Sequence, residues 1–353
     1  MTSIPATLHC RLLAWYDANK REMPWRGHPD PYAVWVSEIM LQQTQVETVR
    51  GYFARFLDAF PSVAALAAAP QQAVLKAWEG LGYYSRARNL QKAAQTVAAQ
   101  GGPLPRTAAQ WAALPGVGPY TAAAIASICF AEATPVVDGN VIRVFARFLG
   151  WPDDFRKPPS RSKLADWLQP HVARSKRPGD FNQAMMDLGA TLCTPRAPAC
   201  DRCPLRRDCL ARREGRQTEF PFKPAKKTVP TRTAVAALVR DKAGSVLFTL
   251  RAEEGLLSGL WELPNTPVTR KPARRDALRA LREQTGLTAG RAEPLGLITH
   301  AFSHFKLLLH VYTVSAVTGT PDPARQPPAR FARSTDLPLT TATRRALALP
   351  SPK

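Results

Sequence analysis

The sequence contains no long apolar run and no apolar leader. No stretch reaches the roughly 18 uninterrupted apolar residues that a membrane helix requires, and the first residues, MTSIPATLHC, lack a basic head followed by an apolar core. No internal repeat is visible, which argues against a repeat architecture. From these absences we expect no membrane span, and we expect a soluble protein that stays in the cytoplasm.

Acidic residues are scarce relative to basic ones. The chain of 353 residues has 48 Lys and Arg against 27 Asp and Glu, a formal net charge of +21. The excess lies on both sides of Ala211, with 24 basic and 16 acidic residues up to it and 24 and 11 after it. Such an excess attracts a polyanion through counterion release, so nucleic acid is the expected partner. A coding bias toward arginine would give the same charge, which leaves the motifs to decide.

Two kinds of pattern divide the chain. Residues 8–211 space apolar residues three and four apart between Gly and Pro, as in QQAVLKAWEGL and FNQAMMDLGATLC, which predicts an all-α region. Residues 212–232, RREGRQTEFPFKPAKKTVPTR, are charged and contain proline without an apolar period, which is typical of an exposed linker. We therefore predict a helical domain over 1–211, a linker over 212–232 and a second domain over 233–353.

The apolar period changes to two after the predicted linker. TAVAALVRDKAGSVLFTLR predicts two strands around a glycine turn, PARRDALRALREQTG predicts a basic helix, and EPLGLITHAFSHFKLLLHVYTVSAV predicts another pair of strands. The second domain is thus predicted to be a small α+β fold. The proline-bearing stretch from Thr320 has little pattern, and we expect it to be a partly flexible tail.

Four of the six cysteines lie within one short stretch, CTPRAPACDRCPLRRDC. Closely spaced thiols in a cytoplasmic chain indicate metal binding rather than disulfides. A tetrahedral zinc ion and a [4Fe–4S] cluster are both held by four thiolates, so the spacing leaves both open. The remaining Cys10 and Cys129 lie in apolar helical settings and are predicted to be buried packing thiols. The four predicted metal ligands are Cys193, Cys200, Cys203 and Cys209.

The stretch LPGVGPYTAAAI predicts a tight turn between two helices. Gly116 and Gly118 allow backbone N–H groups to approach a phosphate closely, and the following helix presents the positive end of its dipole. A Gly-x-Gly turn of this kind also serves plain helix packing. About twenty residues further on, Asp138 stands in VVDGNVIRV at a helix start, where an ordinary N-cap is the alternative to a functional carboxylate.

The hairpin, Asp138 and the cysteine loop, in this order and separation, resemble the helix-hairpin-helix arrangement of the endonuclease III superfamily of DNA glycosylases. The resemblance implies a multidomain protein with an all-α helix-hairpin-helix glycosylase core and a [4Fe–4S] cluster in an iron–sulfur loop at 193–209. It assigns Asp138 as the shared aspartate. Members that also cut the backbone carry a lysine where this chain has Tyr120, and a phenol cannot form the Schiff base that this step requires.

Glu38 stands on a predicted helix among the apolar residues Val34, Trp35 and Met40. Apolar surroundings raise the pKa of a carboxyl, as a general acid requires, whereas a glutamate on an amphipathic surface would need no role. The stretch PWR…DPYAVWVSEIMLQQTQV, followed by GLGYYSRARNL and FNQAMMDLGA, resembles the MutY family of adenine DNA glycosylases over nearly all of residues 8–211. In that family this glutamate is the catalytic acid.

The resemblance to the MutY family implies roles for further residues. Glu38 would protonate adenine at N7 and Asp138 would stay ionised to stabilise the sugar cation, with Tyr120 and Asn140 as hydrogen-bonding supports. Adenine would be flipped out of the duplex into a pocket. As plain structure, Gln43 would be helix surface and Tyr83 a core aromatic. The implied adenine-pocket residues are Arg26, Leu41, Gln183 and Asp187, and those implied to fill the gap beside the lesion are Gln43 and Tyr83.

The second domain carries a weakened Nudix box in ARRDALRALREQTGL. The box requires an Arg-Glu pair followed by two adjacent glutamates, and these places read Arg279-Ala280 and Glu283-Gln284 here. Two of the three carboxylates are thus missing, so we expect a Nudix-like fold without phosphate hydrolysis on a divalent metal.

In the MutY family a Nudix-like domain checks the opposite base for 8-oxoguanine. The stretch HAFSHFKL resembles the recognition loop of that family, which implies that Phe302, Ser303 and His304 lie at the damaged base. Trp261 in GLWELP is another matching feature, and we expect it to serve packing rather than contact.

Together these patterns predict a monofunctional adenine DNA glycosylase of base excision repair. The expected substrate is double-stranded DNA with adenine opposite 8-oxoguanine or guanine, and the expected product is an abasic site. We also expect a monomer, nucleoid-associated in a bacterial cell and open to repair or replication partners. Two alternatives remain: a bifunctional endonuclease III-like glycosylase and lyase, and a metal-stabilised DNA-binding protein without chemistry.

Overall fold

The computed structural model describes residues 8–222, 228–252, 255–322 and 325–350. Contacts between Cα atoms divide the chain into two compact units, which we call the first and the second unit. The first comprises Met1–Ala67 and Lys92–Ala225, and the second comprises Ala68–Gln91 and Lys226–Lys353. Within the described ranges, none of the helices is both long and apolar enough to cross a membrane.

Helices follow one another through residues 8–213, which confirms the predicted all-α region. Proline occupies the first turn of several of them, as at Pro31, Pro119 and Pro178, where its fixed φ favours helix initiation and its missing N–H costs nothing. The helices are α1 (Leu8–Asn19), α2 (Pro31–Leu41), α3 (Val46–Ala59), α4 (Val63–Ala68), α5 (Gln71–Ala77), α6 (Ser85–Gln100), α7 (Ala108–Ala112), α8 (Pro119–Phe130), α9 (Gly139–Leu149), α10 (Pro158–Arg174), α11 (Pro178–Thr191) and α12 (Leu210–Arg213).

One core of the first unit joins α1, α9, α10 and α11. Leu12, Phe145, Leu164 and Phe181, one from each helix, are fully buried there. Phe220 joins the same core with only 4% of its surface exposed, and its carbonyl accepts a hydrogen bond from Arg147. The stretch 212–232 was predicted to be an exposed linker, but it contributes a buried side chain to the first unit. The apolar ring of Phe220 is removed from water by packing in this core.

The second unit contains the predicted strands and the basic helix, together with three short strands and a helix that the period did not predict. One sheet has the order β4-β1-β6-β5, with β1 and β6 parallel and the other pairs antiparallel, and a smaller antiparallel sheet has the order β3-β2-β7. The elements are β1 (Thr231–Val239), β2 (Val246–Leu250), β3 (Trp261–Glu262), β4 (Asn265–Val268), α13 (Arg274–Thr285), β5 (Thr288–Ala301), β6 (Lys306–Thr318), β7 (Ala329–Ala332) and α14 (Thr341–Leu347).

The stretch after Thr320 is more ordered than its composition suggests. Described residues 325–350 include β7, which pairs with β2, and α14, which begins at an N-cap provided by Thr340. Leu337 and Leu339 are buried in the core of this unit with Ala346 of α14. The expected flexible tail is therefore wrong for these elements, because a few spaced apolar side chains suffice to anchor a proline-rich segment.

Candidate active site

Glu38 lies in the buried part of α2. All residues of this helix from Tyr32 to Met40 are buried, and Glu38 itself is 5% exposed. The helix is fixed at its start by Asp30, whose side chain accepts a hydrogen bond from the Tyr32 N–H. A surface glutamate is therefore excluded, and the carboxyl stands in apolar surroundings.

The Glu38 carboxyl has one direct hydrogen-bond partner in Tyr120. The phenol of Tyr120, on α8, donates to Glu38 Oε2 at 2.9 Å. The pKa of Glu38 is raised to about 7. Burial is the main cause and the nearby Asp138 adds to it, while the hydrogen bond from Tyr120 and the positive charge of Arg26 lower the pKa. The expected rise in the pKa is thus found, and a substantial fraction of Glu38 carries a proton at neutral pH.

Asp138 both caps α9 and faces this site. Its side chain accepts hydrogen bonds from the Val141 N–H at 2.7 Å and from Asn140 Nδ2 at 2.8 Å. Burial raises the pKa of Asp138, while these two donors and the positive charge of Arg143 oppose that rise by stabilising the carboxylate. Asp138 is therefore an N-cap, and this role leaves its carboxyl at the wall of the cavity.

Both carboxyl groups line one cavity of about 410 Å³ in the first unit. Its size suits a purine base, and its walls combine apolar side chains such as Val34 and Met186 with the two acids. The sequence-predicted residues that the structure brings to this cavity are Arg26, Glu38, Leu41, Tyr120, Asp138, Asn140, Gln183 and Asp187.

The polar wall of the cavity is an ordered ion-pair cluster around Asp187. Its carboxylate is fully buried and receives hydrogen bonds from Arg26 and from Arg21, whose Nη2 is 2.6 Å away. Arg26 also donates to Gln183 Oε1 at 2.9 Å. Arg21 and Met186 were missed from the sequence, although the positions of Gln183, Met186 and Asp187 on one helix would have placed Met186 on the same face.

A chain of hydrogen bonds leads from Asp138 to the cysteine loop. Asn140 donates to Asp138, Arg143 Nη2 donates to Asn140 Oδ1 at 2.7 Å, and Arg143 Nε donates to the carbonyl of Cys193 at 2.7 Å. Gly189 of α11 lets the helices approach, because a Cβ there would lie 2.6 Å from the Asn140 Cβ. The guanidinium of Arg143 thus orients both the amide of Asn140 and the backbone of Cys193.

The four cysteines of the loop line one small, apolar cavity of about 30 Å³. Arg147 approaches Cys193 Sγ at 3.4 Å, and Gln217 Nε2 lies 3.8 Å from Cys200 Sγ, as N–H donors do around thiolate ligands. The donor set therefore fits a thiolate-held metal group. Of the other two thiols, Cys10 is exposed and Cys129 partly buried, so the predicted burial of Cys10 is wrong.

The predicted hairpin joins α7 and α8. Gly116 has a φ of 74°, a left-handed conformation that glycine adopts without strain. Gly118 is the N-cap of α8 with an ordinary φ of −81°, and a Cβ at this position would meet nothing within 4 Å. The protein's own packing therefore does not require glycine at 118.

Gln43 and Tyr83 share an unusual backbone conformation. Gln43, in the turn after α2, has a φ of 59°, and Tyr83, between α5 and α6, has a φ of 47°. Left-handed non-glycine residues carry strain and cluster at functional sites. Both side chains are exposed, Tyr83 by 47%, so Tyr83 is not a core aromatic and Gln43 does not lie on a helix.

The predicted recognition loop is the turn between β5 and β6. Ser303 and His304 are exposed at its tip, whereas Phe302 is partly buried and stacks on Phe305 at 4.5 Å between ring centroids. Ser303 Oγ and the Tyr83 hydroxyl, which belongs to the same unit, are 2.8 Å apart. The loop therefore presents polar groups outward while its phenylalanine is anchored beneath them. Trp261 is buried in the core of this unit, as expected of a packing residue.

The weakened Nudix box has a structural use in this fold. Gln284, where a metal-binding carboxylate would stand, accepts from the Asn265 N–H at 3.1 Å and donates to the Asn265 carbonyl at 2.6 Å. The Gln284 amide therefore joins α13 to β4 through one accepted and one donated hydrogen bond to the same backbone residue, as a neighbouring strand would. A glutamate could not donate the second of these bonds at neutral pH.

Comparisons with known proteins agree with this geometry. Residues 36–170 match the family described as HhH-GPD superfamily base excision DNA repair protein, and residues 235–349 match the NUDIX domain family. The chain is 38% identical to the adenine DNA glycosylase of Homo sapiens, an alignment that covers 91% of this chain and 69% of the human protein. It belongs to the adenine DNA glycosylase family. The adenine DNA glycosylase of Buchnera aphidicola from Acyrthosiphon pisum is 32% identical and aligns over 85% of this chain and 83% of its own length.

Solved structures place this adenine DNA glycosylase family member in the expected fold. A thermostable thymine-DNA glycosylase superimposes with a TM-score of 0.54 and 27% identity, covering 59% of this chain and 96% of its own. An endonuclease III in complex with DNA superimposes with a TM-score of 0.52 over 61% of this chain and 99% of its own, at 21% identity. The resemblance drawn from the motifs is confirmed, and the chain is a DNA glycosylase with a helix-hairpin-helix core and a Nudix-like domain.

Substitution of Gly118 tests whether the hairpin approaches a phosphate. We expect Gly118→Ala to lower the free energy of unfolding by less than about 1 kcal/mol, because the added methyl meets no protein atom, yet to weaken binding to duplex DNA several-fold through contact with the backbone. Chemical denaturation and fluorescence anisotropy with a duplex measure the two effects.

The matched control is Gly102→Ala, in the loop between α6 and α7, where a Cβ also meets nothing within 4 Å. Equal DNA affinity for the wild type and Gly118→Ala would contradict a phosphate contact at this turn.

Proposed function

We propose that this chain hydrolyses the N-glycosidic bond of adenine paired with 8-oxoguanine or guanine in double-stranded DNA, and leaves an abasic site. The observation that carries the proposal is the pair of unlike carboxyls on one cavity, with Glu38 buried and hydrogen-bonded at Oε2 by Tyr120, and Asp138 held by several donors. Such a pair suits a bond whose cleavage needs protonation on one side and a negative charge on the other.

Glu38 is the general acid in this proposal. Its pKa of about 7 leaves it protonated often enough to donate to a base nitrogen, which we assign as adenine N7. Tyr120 holds Oε2 by its hydroxyl, so the other carboxyl oxygen is the one available to the base. Arg26, Gln183 and Asp187 form a rigid polar wall of the same cavity, which suits recognition of the edge of a flipped base.

Asp138 provides the negative charge. As adenine leaves, positive charge develops on the deoxyribose, and a carboxylate fixed by the Val141 N–H and Asn140 stabilises it without having to reorganise. Because these donors also disfavour protonation of Asp138, the two carboxyls can hold opposite protonation states within one pocket. A water molecule then adds to the sugar cation and completes the hydrolysis.

The pH dependence and one isosteric variant test the acid. The rate of adenine release under single-turnover conditions should fall as the pH rises through about 7, because the active form of Glu38 is the protonated one. Glu38→Gln should lower the rate at least about a hundredfold while duplex binding stays within a few-fold of the wild type. Asp58→Asn, at an exposed carboxyl on α3 outside the cavity lining, is the matched control. Full activity of Glu38→Gln would refute the assignment.

The reaction is proposed to stop at the abasic site. Tyr120 occupies the hairpin position, and its hydroxyl is engaged with Glu38 at 2.9 Å and lies 3.5 Å from Met186 Sδ. A Schiff base with the opened sugar requires an amine, and a phenol contains no nitrogen. Release of adenine should therefore leave the strand intact.

Borohydride tests this step. Reaction of the full chain with an adenine mispair in the presence of borohydride should yield no more covalent protein–DNA complex than the Glu38→Gln variant does, while alkali cleaves the product strand. Trapping at the level of a lysine-dependent lyase would contradict a monofunctional reaction and favour the bifunctional alternative.

The cysteine loop is proposed to hold a [4Fe–4S] cluster through Cys193, Cys200, Cys203 and Cys209. The four cysteines line one cavity, and four thiolates are the ligands that a [4Fe–4S] cluster uses, as the resemblance to the endonuclease III superfamily implies. When bound, the cluster supplies a fixed scaffold that folds the loop. Through Arg143, the loop then holds Asn140 against Asp138.

Metal analysis distinguishes the two occupants. Protein purified without oxygen should contain about four irons per chain and a visible absorption band that bleaches on loss of iron. One zinc per chain with no iron would overturn the assignment.

The second unit is proposed to read the base opposite adenine through Phe302, Ser303 and His304. Ser303 and His304 are exposed donors and acceptors at the tip of a turn, and Tyr83 beside Ser303 offers an aromatic ring for stacking into a duplex. We further propose a monomer that works in the cytoplasm, at the nucleoid in a bacterial cell, with repair or replication proteins as partners.

A further inference from the structure

Residues 68–91 are held to the C-terminal part of the chain within the second unit. Near the start of this segment, Gln72 donates to the Gly259 carbonyl at 2.9 Å and accepts from Trp261 Nε1 at 3.0 Å. Near its end, Arg88 donates to the Ser258 carbonyl at 2.7 Å. The segment is therefore fixed at both ends by polar contacts to the residues around β3.

The middle of the segment is fixed by a cluster centred on Glu79. Its Oε1 accepts from the Leu339 N–H at 2.8 Å, Lys76 Nζ lies 2.9 Å from its Oε2, and the guanidinium of Arg344 on α14 binds both oxygens. The Glu79 side chain is only 10% exposed, and Lys76 also donates to the Leu337 carbonyl at 2.9 Å. Burial would raise the pKa of Glu79, but the hydrogen bonds from Arg344, Leu339 and Lys76 lower it below its usual range.

The loop between Glu79 and α6 is stiffened by its own hydrogen bonds. Trp78 Nε1 donates to the Gly82 carbonyl at 3.2 Å, and Arg86 Nη2 donates to the carbonyls of Leu81 and Gly82. The Gly80 N–H donates to the Tyr84 hydroxyl at 3.1 Å. These hydrogen bonds connect the residues around Glu79 to those on both sides of Tyr83.

Tyr83 is the functional end of this loop. It is exposed, it has a left-handed backbone, and its hydroxyl is 2.8 Å from Ser303 Oγ in the turn between β5 and β6. The strained backbone persists only if the surrounding contacts determine it. The position of Tyr83 against Ser303 is thus set by contacts several residues away in sequence.

We propose that the Glu79–Arg344 ion pair is a positioning device that sets Tyr83 against Ser303 and thereby determines how strongly the enzyme prefers adenine opposite 8-oxoguanine over adenine opposite guanine. The inference rests on the proposed reading of the opposite base by the second unit. Glu79 and Arg344 touch no substrate in this account and act through the loop. Their effect should therefore fall on discrimination between mispairs and leave the chemistry at Glu38 unchanged.

The test compares two rates in the full chain. Glu79→Ala and Arg344→Ala should each lower the ratio of single-turnover adenine release opposite 8-oxoguanine to that opposite guanine by about tenfold, as expected for loss of a charge-assisted hydrogen bond. The rate opposite guanine should change less than about twofold. Because Arg344 acts through Glu79, the double variant should lose no more than Glu79→Ala alone. Arg345→Ala, on the same helix but bonded to the Thr299 carbonyl, is the matched control.

Amide hydrogen exchange over residues 80–84 gives a second readout that does not depend on DNA. Exchange there should be faster in Glu79→Ala than in the wild type and unchanged in Arg345→Ala. An unchanged ratio with unchanged exchange in Glu79→Ala, or an equal loss in Arg345→Ala, would overturn the positioning role. A wild type that shows no preference between the two mispairs would refute the proposed reading of the opposite base, and with it the effect of Glu79 on discrimination. The hydrogen-exchange result would then still decide whether Glu79 positions the loop.

Discussion

Burial of the Glu38 carboxyl is the constraint on which the rest of the site depends. The side chain lies in a helix whose residues from Tyr32 to Met40 are all buried, and water is replaced by apolar neighbours and one phenol. In such surroundings the neutral form is favoured, so a proton is available near neutral pH that an exposed glutamate would have lost. The hydroxyl of Tyr120 fixes the direction of the carboxyl as well as limiting the rise of its pKa.

The second carboxyl is kept different by its local structure. Burial raises the pKa of both carboxyls, but Asp138 caps α9 and accepts hydrogen bonds from the Val141 N–H and from Asn140, which oppose its protonation. The amide that supports Asp138 is held by Arg143, which also holds the backbone of Cys193. Two side chains, Asn140 and Arg143, therefore connect the cysteine loop to the cavity that Asp138 lines.

The sequence predicted those parts of the fold and site that depend on local pattern. The helical region, strands β1, β2, β5 and β6, and α13 follow from apolar period, and Glu38 and Asp138 follow from motif and neighbourhood. The two-residue strand β3 and the short β4 and β7 are too brief to have a period, and α14 is hidden among prolines. Contacts between residues that are distant in sequence could not be predicted either. The bond between Arg21 and Asp187 joins residues 166 apart in sequence, and no local signal predicts it.

The grouping of residues 68–91 with the C-terminal part of the chain illustrates the same limit. Its helical period is that of the neighbouring helices, so the sequence gives no reason to separate it from the domain predicted over 1–211. Polar side-chain contacts join this segment to the C-terminal part of the chain, such as those of Gln72 with Trp261 and of Glu79 with Arg344. Only their positions in space identify them as partners.

Direct titration of the Glu38 carboxyl tests the central claim. Carbon-13 NMR of the full chain labelled at glutamate side-chain carboxyls, with the Glu38→Gln variant to assign the signal, measures this pKa without reference to activity. The account predicts a titration midpoint of about 7. A midpoint near the ordinary value of 4.5 would show that burial does not keep this carboxyl protonated, and would contradict its role as the acid.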